Sequence, residues 1–260
     1  MPKLIRLIFF ILLFAFLLLN LVSCAHLQTN FQRKILPRKS FVKVEKSLTI
    51  SECDESGCTS QLLRSVASGV AVHSTLEGAY ILTAAHVCDD SDVKAKYQSS
   101  PNIEFSSEFS VRTLSNEQKP VKILEFDIKH DICMVWVKNL FIQPVAISPS
   151  EPEPGDRVFN IAAPLGIFSK DMVPIFEGFY DGVDQGGRAV YSIPAIGGSS
   201  GSPIFNRKGE LIGMVHSTIR YFNQITISPN YKAMREFINE TIGKHSFLTY
   251  FRSIWRPFMK

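Results

Sequence analysis

The sequence predicts an all-β chain, folded as two six-stranded-type antiparallel β-barrels with a C-terminal helix. Three observations carry this. From Ser65 onward, short runs rich in β-branched and aromatic residues alternate with turn residues, the pattern of barrels or sandwiches. The stretch Pro149–Asp156, rich in proline and acid, divides these runs into two series of similar length. Only near the end, at about Asn230 to Ile242, do Tyr231, Met234, Phe237, Ile238 and Ile242 fall on one helical stripe.

Taken in order, residues 1–24 read as a leader. Lys3 and Arg6 precede an apolar run from Leu7 to Leu19, a positive n-region before an h-region. The run is shorter than the roughly 18 residues of a spanning helix, although counting through Asn20 to Val22 restores an anchor as an alternative. Leu21-Val22-Ser23-Cys24 then resembles a bacterial lipobox, which implies lipidation at Cys24; cleavage near Ser23 or Ala25 is the other alternative. Each of these readings exports the chain, and lipid or anchor associates it with a membrane at the periplasmic or cell-surface side. Residues 25–62 read as a basic spacer or stalk, in which Cys53 and Cys58 flank a turn sequence and can close a small hairpin loop.

The first series of strands is expected over Val70–Val72, Ala79–Thr83, Ile103–Arg112, Val121–Phe126 and Ile132–Val137, within a barrel of about 63–148. The second is expected over Arg157–Ala162, Val173–Gly178, Ala189–Ile193, Pro203–Phe205, Leu211–His216 and Gln224–Ile227, within about 157–228. The tail, 243–260, places Phe247, Tyr250, Phe251, Ile254 and Phe258 on one helical face with basic residues at the rim. That pattern suits an interfacial membrane helix and equally a segment docked on a barrel.

Composition removes several classes of function. With 45% hydrophobic residues the chain is not disordered. Half of the net charge of +4 sits in the leader, so no footprint for nucleic acid remains. Five cysteines without C-x-x-C spacing exclude a zinc site of that kind, and no metal or cofactor is expected.

Three segments carry chemistry. Tyr80-Ile81-Leu82-Thr83-Ala84-Ala85-His86 is a buried strand ending in small residues and a histidine. His130-Asp131-Ile132-Cys133-Met134-Val135 puts an acid at the start of an apolar strand. Gly197-Gly198-Ser199-Ser200-Gly201-Ser202-Pro203 sets a serine in a tight glycine-rich turn. A serine hydroxyl needs a base to take its proton as it attacks, and a carboxylate on the base's other nitrogen fixes the tautomer. Glycines let backbone N–H groups turn toward a developing oxyanion. The order His, Asp, Ser is not that of α/β-hydrolases, and Ser202 stands where their G-x-S-x-G elbow needs glycine.

These motifs resemble those of trypsin-like (chymotrypsin-fold) serine endopeptidases, closest to the HtrA-like and glutamyl-endopeptidase branches. The resemblance covers roughly Ser65 to Ile242, within a protease domain of 63–242. It includes Ser68-Gly69-Val70-Ala71-Val72, Gly155-Asp156-Arg157-Val158 leading to Ala163-Pro164-Leu165-Gly166, and Asn206–Gly213 after the serine. It implies a serine endopeptidase in which His86 is the general base, Asp131 the orienting acid and Ser200 the nucleophile. Gly198 and Ser200 would supply the oxyanion hole, and Pro194, Ala195, His216, Ser217 and Thr218 would line the groove for protein or peptide substrates. Ser199 stands where trypsin-like zymogens carry an acid, so activation by N-terminal insertion is not expected. No PDZ domain is expected after the protease domain either, and the oligomeric state is not legible.

Without a carboxylate among Pro194, Ala195 and Ile196, a basic P1 residue is disfavoured. His216 follows Gly213 by three residues where glutamyl endopeptidases have two, which flips the side chain on a strand, so a small or medium apolar P1 is favoured. Cys88 and Cys133 each follow a triad residue by two, so the implied triad brings them together and a Cys88–Cys133 bond is the expectation, with Cys53–Cys58 as the other pair; free buried thiols are the alternative. The competing function is a non-catalytic, protease-like module that binds peptides or partners.

Overall fold

The computed structural model describes residues 36–55, 57–97 and 102–255, together with Leu12–Phe14 and Phe16; of 246–255 it describes only the backbone. The chain forms two units, Met1–Leu36 and Pro37–Lys260. In the first, Leu12–Phe14 and Phe16 are helical and exposed. Cys24 and the rest of the leader lie outside the described residues, as do residues 256–260 of the tail. Among the described residues no helix is long and apolar enough to cross a membrane.

The second unit holds two curled antiparallel sheets of seven strands, a chymotrypsin-like arrangement. The first comprises β1 (Phe41–Asp54), β2 (Gly57–Thr75), β3 (Gly78–Thr83), β4 (Ile103–Thr113), β5 (Gln118–Pro120), β6 (Lys122–Asp127) and β7 (Ile132–Lys138). Their spatial order is β5-β4-β1-β2-β3-β7-β6. The second comprises β8 (Arg157–Ile161), β9 (Ile175–Val183), β10 (Ala189–Tyr191), β11 (Pro203–Phe205), β12 (Leu211–Met214), β13 (Ser217–Ile219) and β14 (Phe222–Ser228), in the order β12-β11-β8-β9-β10-β14-β13. Two short helices, α1 (Ala85–Cys88) and α2 (Ser91–Ala95), follow β3, and a long one, α3 (Tyr231–Trp255), follows β14.

The spacer expected over 25–62 is corrected from Phe41 onward: this stretch is the first strand and the start of the second. Phe41, Val42, Val44, Leu48 and Ile50 are buried, so β1 supplies core to the first sheet rather than reach to a stalk. Lys46, on the same inward side, is also buried; its ammonium donates to the Val87 carbonyl at 2.8 Å and pairs with Asp90 at 2.6 Å. A buried charge needs such a partner, and this one ties β1 to α1.

The connection between the sheets is also tighter than a free linker. Ser148 N–H donates to the Leu211 carbonyl and Leu211 N–H to that of Ala146, so the segment leaving the first sheet is already paired with β12. From α3, the Tyr231 hydroxyl donates to the Ser148 carbonyl and Arg235 to that of Pro149, while Tyr231, Met234 and Ile238 bury the expected stripe. The helix thus strengthens the junction of the two sheets.

Candidate active site

His86 sits in the single turn of α1, immediately after the buried strand β3, and Asp131 enters β7 from the opposite side of β3. The register Thr83↔Cys133 places the end of β3 beside the start of β7. Asp131 adopts φ +54°, in the left-handed region, and its N–H donates to the Ile128 carbonyl in a tight turn. Its carboxylate grips His86 twice: Oδ1 accepts the His86 backbone N–H at 2.7 Å, and Oδ2 lies 2.7 Å from Nδ1. An ionised carboxylate only accepts, so Nδ1 carries the proton and Nε2 is left with its lone pair. Asp131 is buried while half of the His86 side chain is exposed, so the base is oriented from below and open from above.

Cys88 and Cys133 are bonded, clamping α1 to β7 two residues beyond each member of this pair. The loop closed has a sequence separation of 45, for which chain entropy gives about 4 kcal/mol of stabilisation. The Cys88→Ala/Cys133→Ala protein is expected to lose about 2–4 kcal/mol in urea unfolding. A loss below about 1 kcal/mol would show that the bond adds little beyond the surrounding packing. Cys53 and Cys58 are bonded as well, as directly opposed residues of β1 and β2.

Ser200 lies in the turn before β11, which the first sheet holds in place. Ser68 of β2 is fully buried; its N–H donates to the Ser200 carbonyl at 2.8 Å, its hydroxyl donates to the Gly198 carbonyl at 2.8 Å, and the same hydroxyl accepts the Ala163 N–H at 3.0 Å. Gly201 is required where it stands: at φ +79°, a Cβ would lie 2.3 Å from the Ser68 carbonyl oxygen. Deeper down, buried Asn160 donates to the Ser202 hydroxyl and the Pro203 carbonyl, fixing the exit of the turn.

The orientation of two peptide groups then follows. In a trans peptide N–H and C=O point in opposite directions. The Gly197 carbonyl accepts from Leu165 N–H at 2.7 Å and the Ser199 carbonyl from Ser202 N–H at 2.9 Å. The amides of Gly198 and Ser200 therefore point the other way, and neither has an acceptor among the described residues. Two adjacent unspent donors beside a serine hydroxyl can stabilise an oxyanion. The Ser200 hydroxyl likewise has no hydrogen-bond partner among the described residues; such bonds in unliganded sites are often long and tighten with substrate.

The remaining sequence-predicted residues flank this centre. Ala195 N–H donates to the Asn223 carbonyl on one side of β14, and Ser217 and Thr218 pair with its other side, Thr218 donating to the Ile225 carbonyl. Pro194 is half-buried beside Ala195. Asp127 lies outside the site and pairs with His130 at 2.6 Å. His216 approaches the site itself, its Nε2 standing 3.5 Å from Asp131 Oδ2.

Residues 67–214, which include His86, Asp131 and Ser200, match the sequence profile of the trypsin-like peptidase domain. The chain belongs to the trypsin-like peptidase family. Among curated proteins nothing matches this trypsin-like chain. Of solved structures, the serine endoprotease from Yersinia pestis is similar in fold, with a TM-score of 0.60 at 17% identity over 82% of this chain. The trypsin-like chain spans 66% of that protein's length.

Within this trypsin-like site, the sequence did not announce the contact of His216 with Asp131, because 85 residues separate them and only the docking of β12 beside the site joins them. Burial holds the His216 pKa below its usual 6.5, against the pull of the Asp131 charge. A histidine with a depressed folded pKa takes up its proton more readily when unfolded. Its contribution is complete above about pH 6.5 and is lost as pH falls through the folded value. His216→Gln is expected to flatten the decline of the urea midpoint between about pH 7.5 and 5.5; parallel declines in both proteins would exclude His216 as a source.

Proposed function

We propose that this trypsin-like chain is an active serine endopeptidase working through an acyl-enzyme. His86 Nε2 takes the Ser200 proton as Oγ bonds to the scissile carbonyl carbon, and the carbonyl oxygen gains the negative charge. The amides of Gly198 and Ser200 bind that oxygen, and Asp131 stays ionised, holding the imidazolium. Collapse breaks the C–N bond, with His86 returning the proton to the leaving amine. Water then attacks the acyl-enzyme by the same route, and its proton passes through His86 back to Ser200.

The observations that carry this reading are the pair of unspent amides beside Ser200 and a histidine gripped twice by Asp131. A module that only binds peptides has no physical need of either. Proteins and peptides are the expected substrates, with a small or medium apolar residue before the cut. Export and membrane tethering through the leader belong to the same proposal. The sequence from Lys3 to Cys24 supports them, and two disulfides suit an oxidising compartment.

Fluorophosphonate labelling of the protein lacking residues 1–24 tests the proposal. An adduct on Ser200, absent in Ser200→Ala and His86→Ala, is the expected result. A folded wild type that takes no label would overturn it in favour of the binding module.

A further inference from the structure

We infer that the last turns of α3, from Phe247 to Trp255, lie on an anionic membrane surface. This contact is independent of the leader and of the catalytic reading.

α3 runs without interruption from Tyr231 to Trp255, so the phase of its first half fixes that of its second. Tyr231, Met234, Ile238 and Thr241 are buried and form the row that packs on the sheets. A step of seven residues is about two helical turns, so that row continues at the positions of His245, Leu248 and Arg252. The opposite row begins with Glu236, Glu240 and Gly243, all exposed. It continues at the positions of Phe247, Tyr250, Phe251 and Ile254. The apolar stripe therefore changes sides within one helix. For its second half to dock on the same barrel as the first, the helix would have to break or turn by half a rotation between Glu240 and Phe247, and it does neither. Lys244 holds the helix to the first sheet just before this stripe, donating to Glu125 of β6 at 2.9 Å.

Charge and residue type select the occupant. From Thr241 to Lys260 the sequence has four basic residues, Lys244, Arg252, Arg256 and Lys260, and no acid. Two copies joined through this face would bring like charges together, whereas anionic headgroups attract them. The apolar residues are mostly aromatic, Phe247, Tyr250 and Phe251 with Trp255 beside them, and aromatic side chains favour the boundary between headgroup and hydrocarbon. Among the described residues no helix is long and apolar enough to cross a membrane, so α3 lies in the interface rather than spanning it. Its buried row stays on the barrel, and the contact needs no opening of the domain.

The test uses Ser200→Ala protein lacking residues 1–24, so that neither proteolysis nor the leader contributes, and phosphatidylcholine vesicles with or without phosphatidylglycerol. Expected are cosedimentation with the anionic vesicles and a shift of Trp255 emission to shorter wavelength, read in a Trp136→Phe background. Phe247→Ser/Phe251→Ser/Ile254→Ser should lower vesicle affinity about a hundredfold and leave the melting temperature unchanged. Arg252→Glu/Arg256→Glu should abolish the preference for phosphatidylglycerol. A folded protein that sediments with neither vesicle, or a triple variant that binds as well as its parent, would overturn the membrane contact. Absent vesicle binding with a lowered melting temperature in the triple variant would place the stripe on the chain's own barrel instead. Absent vesicle binding with a dimer that the triple variant loses would assign it to a second copy.

Discussion

Asp131→Asn is expected to lower kcat by about four orders of magnitude while the protein stays folded. The asparagine keeps one oxygen, which can still accept the His86 backbone N–H now bound at 2.7 Å. Its amide nitrogen then faces Nδ1, turning that atom into an acceptor and forcing the proton onto Nε2. The base is lost although nothing has moved. Asparagine also tolerates the left-handed φ of +54° at this position, so the turn survives. Single-turnover cleavage together with thermal unfolding would decide it. A rate within tenfold of wild type, at an unchanged melting temperature, would show that the Asp131–His86 contact is not catalytic.

The second large effect is expected at Gly198. Its φ of +94° is one that side chains rarely adopt, and an added Cβ would meet the Ala163 carbonyl oxygen at 2.4 Å and the Leu165 nitrogen at 2.9 Å. Both are backbone atoms held by hydrogen bonds, so the turn itself must shift. Gly198→Ala should therefore misalign an oxyanion donor and cost about 10²–10³-fold in kcat. Gly197→Ala is the control: a Cβ there has nothing within 4 Å, and its rate should stay within a few-fold of wild type. Similar losses in both variants would assign the effect to general disturbance of the turn.

The local signals of the proposed triad were legible in the sequence because His86, Asp131 and Ser200 each lie close to a strand that the hydrophobic pattern marks. It misled at β1. Val42, Val44, Lys46, Leu48 and Ile50 alternate as a strand should, but the lysine at an inward position breaks the apolar reading and makes the segment look like a basic stalk. The partners that make Lys46 acceptable in the interior, the Val87 carbonyl and Asp90, lie more than forty residues away. Strands β5 and β13, three residues each, escaped for a different reason: they are too short to show any period and exist through their neighbours' ladders. The role of Ser68 in holding the Ser200 turn was equally invisible, since a serine in a strand has no local mark of the carbonyls it will meet.

On the proposed peptidase reading, that serine also governs when the chain becomes reactive. Ser68 belongs to the first sheet, whereas Ala163, Gly198 and Ser200 lie in loops between strands of the second. The oxyanion-binding turn has its shape only after the two halves have met, so a half-folded chain owns a serine without a hole to serve it. During refolding, fluorophosphonate uptake should lag behind the recovery of β-sheet signal, and simultaneous recovery would exclude this order of events. Reactivity of this kind is latent by construction: the newly made chain passes through its unfolded stage, when its own peptide bonds are most exposed, without the means to cut them.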